Sequence, residues 1–188
     1  MFIDREPTGI DGDVFLEDDR GSATLAVQHL IELRHRRIAF LGADDAVATT
    51  ARRLEGYRDA YQFADLPVDE KLVIFAGPGH VGELFTAAVR RSDSPTAVFS
   101  SNSRTSLEII PTLQELGRTD LALVSFGDFP LAGSLHPAVS VIDQNPLHLG
   151  RAAAERALRR IDQPDCPLPR RTVFDVSLIR RASSTPAG

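Results

Sequence analysis

The chain has 188 residues, enough for one ordinary core or two small lobes. Its composition, 43% hydrophobic and 25% charged, is that of a globular protein, and a net charge of −5 argues against a phosphate backbone as the partner of the chain as a whole. The lone Cys166 excludes a disulfide framework or a thiolate metal site, and no apolar run or signal pattern points to a membrane, so a cytoplasmic location is expected.

In chain order, short apolar runs alternate with segments of helical period. Strands are predicted over Val14–Glu17, Ile38–Leu41, Leu72–Ala76, Ala97–Ser101, Leu121–Phe126, Val139–Ile142 and Thr172–Ile179, and helices near Ser22–Leu33, Arg52–Phe63, Val81–Arg91, Arg104–Leu116 and Leu147–Ile161. The first helix carries Ala23, Ala26, Val27, Leu30 and Ile31 on one stripe, with Asp18 or Asp19 placed to cap it. Between it and the next strand stand Arg34, His35, Arg36 and Arg37. A nucleic-acid patch would want a basic surround and interleaved aromatics, which are missing. The better reading is a helix-to-strand corner whose cations complement the helix dipole. Pro111 should kink the fourth helix, and Gly117 should close it. Strict alternation of strand and helix predicts an α/β fold, a parallel sheet with helices on both faces. Beyond Ile161 the proline-rich DQPDCPLPRR reads as a linker, and SSTPAG, from Ser183, as a frayed tail.

Motifs for chemistry are sparse. Gly77-Pro78-Gly79-His80-Val81-Gly82 has the spacing of a dinucleotide fingerprint between a strand and a helix. The next strand ends in Ser and Asn instead of an acid, however, and Pro78 removes an N–H, so a glycine-rich turn is the better reading. The acidic cluster Asp11, Asp13, Glu17, Asp18 and Asp19 lacks calcium-loop spacing and reads as a solvated turn plus a helix cap. The five histidines lack ligand spacing, and no catalytic constellation is specified, so neither an enzyme nor a metal or cofactor site is expected.

Six segments in order resemble the effector-sensing domain of LacI/GalR-type bacterial transcriptional regulators. They are FIDRE, the run from LEDDRGSATLAVQHL to IAFLG, TARRLEGYRDAY, PTAVFSSN, LALVSFGD and the final VSLIRRAS. The resemblance implies a periplasmic-binding-protein-like (type I) fold of two α/β lobes, with an effector held in the cleft. It divides this chain into 1–18, a remnant of the first lobe; 19–142, the nearly complete second lobe; 143–163, a first-lobe helix; 164–183, a linker and the terminal second-lobe strand; and 184–188, a tail. It also implies that the chain is N-terminally truncated, lacking the helix-turn-helix and most of the first lobe, so that operator DNA is bound only through the missing part.

Carried over residue by residue, the effector contacts are Asp4, Asp18, Thr49, Arg53, Asn102, Asp128 and Gln144. Gly127 stands where the family usually has Asp, Gly77 where it commonly has a stacking aromatic unless Phe75 substitutes, Ser103 for a common Asp and Arg34 for the usual Gly. The expected partners are a small polar effector, such as a sugar, and a second copy of the chain. Leu107, Ile109, Ile110 and Leu113 give the fourth helix more apolar surface than one buried stripe needs, which marks it as the homodimer surface. A periplasmic sugar receptor and, more remotely, a nucleotide-dependent enzyme using the Gly77–Gly82 turn are the competing functions.

Overall fold

The computed structural model describes residues 1–44, 46–164 and 166–184, and the chain divides into two compact units. The smaller comprises Met1–Asp18 and Gln144–Val176, the larger Asp19–Asp143 and Ser177 onward.

The larger unit is built on a six-stranded sheet in the order β4 (Val73–Phe75), β3 (Ile38–Gly42), β5 (Ala97–Ser100), β6 (Ala122–Phe126), β7 (Ser140–Asp143) and β9 (Ser177–Ile179). All neighbours are parallel except the edge pair β7–β9. The strands are largely apolar because helices cover both faces, with the hydroxyls of Ser100, Ser125 and Ser140 buried among them. On one face α3 (Val81–Val89) and α4 (Ser103–Glu115) pack Val81, Phe85, Ile109 and Leu113 against Ala39, Leu41, Val98, Leu123 and Val141. On the other, α1 (Asp19–Glu32) and α2 (Ala48–Phe63) cover Phe40 and Phe99. There Tyr57 lies edge-on to Phe40, its hydroxyl donating to Ile38 O at 2.9 Å.

The smaller unit is a parallel sheet, β1 (Phe2–Ile3), β2 (Val14–Glu17) and β8 (Arg171–Phe174), packed on α5 (Pro146–Asp162) through Phe15, Leu149, Ala153 and Phe174. Asp13, just before β2, receives a forked pair of bonds from Arg160 of α5, both 2.9 Å. That guanidinium, outweighing the burial that opposes it, holds the Asp13 carboxyl below its ordinary range. Because folding depresses this pKa, the pair stabilises the folded chain above the ordinary carboxylate value, and the gain is lost as pH falls through the depressed one. The Tm gap between wild type and Asp13→Asn is therefore expected to be full at pH 7 and to close below about pH 4 in pH-resolved melting.

The basic corner is what the sequence predicts. Arg34 is left-handed (φ 70°), His35 N–H donates to Leu30 O at 3.1 Å, and the Arg36 guanidinium donates to Ile31 O and His35 O. His35 is buried against Thr96, and Arg37 faces Asp69 and Asp93 at 3.2 and 3.4 Å. These cations close the open carbonyls of α1 and brace the turn into β3.

Three expectations are corrected. The strand predicted over Thr172–Ile179 is two strands in two sheets, β8 pairing with β2 and β9 with β7, because the chain leaves one sheet at Asp175–Val176. Ser183 is not frayed: its N–H donates to Ala138 O, its carbonyl accepts from Leu123 N–H and its hydroxyl donates to Leu123 O at 2.6 Å. Ser184 meets His29 Nε2 at 2.9 Å, and the rest of the expected tail, 185–188, lies outside the described residues. On α4, Ile109 and Leu113 are core residues, 0% and 5% exposed, whereas Leu107 is 52% exposed. The surplus on that helix is therefore Leu107, not Ile109, and α4 continues through Pro111.

Candidate functional site

The carboxyl ends of parallel strands are where open α/β sheets bind ligands, and polar side chains of the larger unit gather there. Thr49 sits in the first turn of α2, and Arg53 lies one turn on along the same face; both are buried. Arg53 Nε and Nη2 each lie 2.7 Å from Asp19 Oδ1, and Nη1 donates to Ser101 O at 2.7 Å. The guanidinium stacks 3.7 Å above the Phe126 ring. One buried cation thus ties the start of α1 to the ends of β5 and β6. Asp19 also stands in the first turn of α1, where the helix dipole favours its charge.

Asn102 follows β5 and caps α4, its Oδ1 accepting from Thr105 N–H at 2.8 Å and its Nδ2 facing Ser101 Oγ at 3.4 Å. Asp128, just past β6, accepts from Phe129 N–H at 2.8 Å and from the Arg181 guanidinium at 2.9 and 3.3 Å. Arg181 holds its carboxyl below the ordinary range, and Asp128 anchors the C-terminal segment. Phe75, half-buried at the end of β4, packs on Phe40 and over Gly42, where an added Cβ would sit 2.8 Å from its ring.

Asp4, Asp18 and Gln144 belong to the smaller unit. Asp4 is exposed and left-handed (φ 66°), its N–H donating to Phe15 O. Asp18 is exposed, its N–H donating to Phe174 O, and Gln144 Nε2 donates to the buried Glu17 carboxylate. The structure therefore brings Thr49, Arg53 and Asn102 to one sheet edge. It adds three residues that sequence reasoning passed over in this role: Asp19, Phe126 and, in the smaller unit, Glu17. No periodicity distinguishes Asp19 from Asp18; only the approach of α2 to α1 selects it.

The acidic cluster is dispersed onto separate partners: Asp11 on Arg170, Asp13 on Arg160, Glu17 on Gln144 and Asp19 on Arg53. Among the described residues no group of three or more His, Cys, Asp or Glu side chains is arranged to hold a metal, and no helix is long and apolar enough to cross a membrane. In the Gly77–Gly82 turn, Gly79 N–H donates to the Glu108 carboxylate at 3.0 Å. An anion of the protein occupies the donor that a pyrophosphate would need.

The sequence pattern of the periplasmic binding protein-like domain matches residues 27–184. The HTH-type transcriptional regulator GalR of Escherichia coli (strain K12) is 30% identical over 194 residues, covering 100% of this chain and 56% of that relative. Among solved structures, a transcriptional regulator CelR–cellobiose complex superposes with a TM-score of 0.82 at 27% identity, over 94% of this chain and 56% of that one. A regulatory protein of the LacI family from Chloroflexus aggregans does so with a TM-score of 0.86 at 28% identity, over 95% and 66%. The chain spans about half the length, 56%, of the first curated relatives it matches.

Proposed function

This chain belongs to the periplasmic binding protein-like domain family, and we propose that it is the effector-sensing core of a LacI-type transcriptional regulator, acting in the cytoplasm. The observation that carries this reading is the convergence of Thr49, Arg53, Asp19 and Asn102 at the carboxyl ends of the larger unit's strands, in a chain similar to GalR and to a cellobiose-bound CelR. In the whole protein, an effector that binds two conformations unequally shifts their populations and so changes affinity for DNA.

The site favours a neutral, hydroxyl-rich effector. Arg53 is matched by Asp19 and Asp128 by Arg181, so neither pair presents net charge to a carboxylate or phosphate. The Thr49 hydroxyl and the Asn102 amide donate and accept without charge, as sugar hydroxyls require. Asp4, Asp18 and Gln144 enter the proposal as the smaller unit's own polar groups.

Isothermal titration with cellobiose, D-ribose, D-galactose, their phosphates and a purine base tests this. A saturable isotherm with a neutral sugar is expected, weakened about tenfold by Thr49→Ala through loss of one hydrogen bond. Binding of phosphorylated sugars alone, or silence from the whole panel, would sink it. We further propose that the chain dimerises through the exposed Leu107 face of α4. Sedimentation should show a dimer that Leu107→Asp dissociates without lowering Tm; a monomer at ~100 µM, well above a working Kd of about 1 µM, counts against it.

A further inference from the structure

The turns that close β5 and β6 are gripped from both faces of the sheet. Arg53 holds them from the α2 side, on Ser101 O and the Phe126 ring. From the α4 side they are held by three hydroxyls, Ser100, Ser106 and Ser125, each 0% exposed. Ser125 Oγ donates to Gly127 O at 2.9 Å, Ser106 Oγ donates to Ser125 Oγ at 2.7 Å, and Ser100 Oγ donates to Asn102 O at 3.0 Å. Ser106 Oγ also lies 3.2 Å from Asn102 O.

Each hydroxyl has a single proton to give. Counting protons makes the chain directional: Ser100 to Asn102, Ser106 to Ser125, Ser125 to Gly127. Ser106 has one alternative, Asn102 O, and takes it when Ser125 no longer offers a lone pair. Asn102 O keeps its partners either way, since Ser100 Oγ and the Ser106 N–H at 3.1 Å both donate to it. Gly127 has no such reserve. It is left-handed (φ 89°), its N–H is committed to Ile142 O at 3.0 Å, and its carbonyl accepts from Ser125. Both of its backbone polar groups are therefore fixed inward, between a ring that Arg53 covers and a carboxylate that Arg181 holds.

We propose that Ser106 and Ser125 are positioning residues for the effector site, a directed hydroxyl relay that sets the Asn102 and Gly127 turns in one register. The proposal rests on the effector reading above. Hydroxyls in an apolar layer between β6 and α4 cost desolvation that alanines would avoid. What they provide is a link between two turns that the strand ladder leaves unconnected beyond Ser100 and Ser125, its last paired residues. A site held this way is preorganised for its ligand, whereas one held by Arg53 alone pivots on the opposite face.

The test uses the full chain with Ser106→Ala, Ser125→Ala and the double variant, read by titration with whichever neutral sugar the wild type binds, by amide exchange and by Tm. Each single change is expected to weaken binding about tenfold and to speed exchange of the Gly127 amide at least tenfold. Exchange in α1 should stay unchanged. The double variant is expected to be no worse than the weaker single, because either loss breaks the same relay. A fall in Tm with affinity and Gly127 exchange both intact makes the hydroxyls merely structural and overturns the proposal, as does multiplication of the two losses. If the wild type binds no sugar, the effector reading fails on that result. Gly127 exchange then decides the relay: acceleration in Ser125→Ala supports it, and unchanged exchange refutes it.

Discussion

Replacing Arg53 by Met is expected to abolish effector binding and to lower the unfolding free energy by about 3–5 kcal/mol, because it leaves the Asp19 carboxylate buried without its cation. A second change separates folding from recognition. Arg53→Met with Asp19→Leu removes both charges and should recover most of the stability, as apolar replacement of buried ion pairs often does, while still binding no sugar. Urea unfolding and titration on the two variants check this. A single variant as stable as wild type at pH 7 would mean that the ion pair is solvated in solution.

Gly56→Ala is expected to cost at least about 3 kcal/mol, at the upper end of overpacking effects. An added Cβ at this position would lie 2.1 Å from Arg20 O and 2.9 Å from Ala23 Cβ. The obstacle is the backbone of α1, which cannot swing aside as a side chain can. Separating α1 from α2 would also break the bond from Thr24 Oγ1 to Gly56 O and strain the Arg20–Asp59 fork. Gly150 is the control: it lies within α5 with no atom within 4 Å of an added Cβ, so Gly150→Ala should raise stability by about 0.5–1 kcal/mol. Thermal melts of the pair measure both, and equal effects would contradict the close approach of α1 and α2.

The architecture was legible because burial on both faces leaves a plain signature. The run Ile38–Gly42 is apolar throughout, Ala122–Phe126 is broken only by Ser125, and the α1 corner announces itself by its cations. β1, two residues that carry no period, was legible only through the resemblance of FIDRE, and the break at Asp175–Val176, across which the alternation of TVFDVSLI continues, was not legible at all. On α4, Ile109 and Ile110 are adjacent in sequence yet 100° apart around the helix, so apolar content alone could not say which was the surplus. In the site, Arg53, Thr49 and Asn102 were found through resemblance. Asp19 and the two serines were not: a small polar residue inside a buried pattern shows its purpose only when a residue 19 or 34 positions away is brought against it.

The split between β8 and β9 also bears on how the chain is made. β2 gains its second neighbour by pairing Val14 with Arg171, 157 positions later, and β7 waits in the same way for β9. At roughly 5–20 residues per second a ribosome takes about 8–30 s to cover that separation. Throughout that interval Val14, Phe15 and Leu16, which end almost fully enclosed, belong to a strand with an open edge. The larger unit can condense first around its four central strands, whose pairings are far closer in sequence. The nascent chain therefore passes through a stage in which the β2 segment, made long before β8, is still open on one edge, the kind of exposure that holding chaperones answer and that makes synthesis rate, as much as final stability, a determinant of yield.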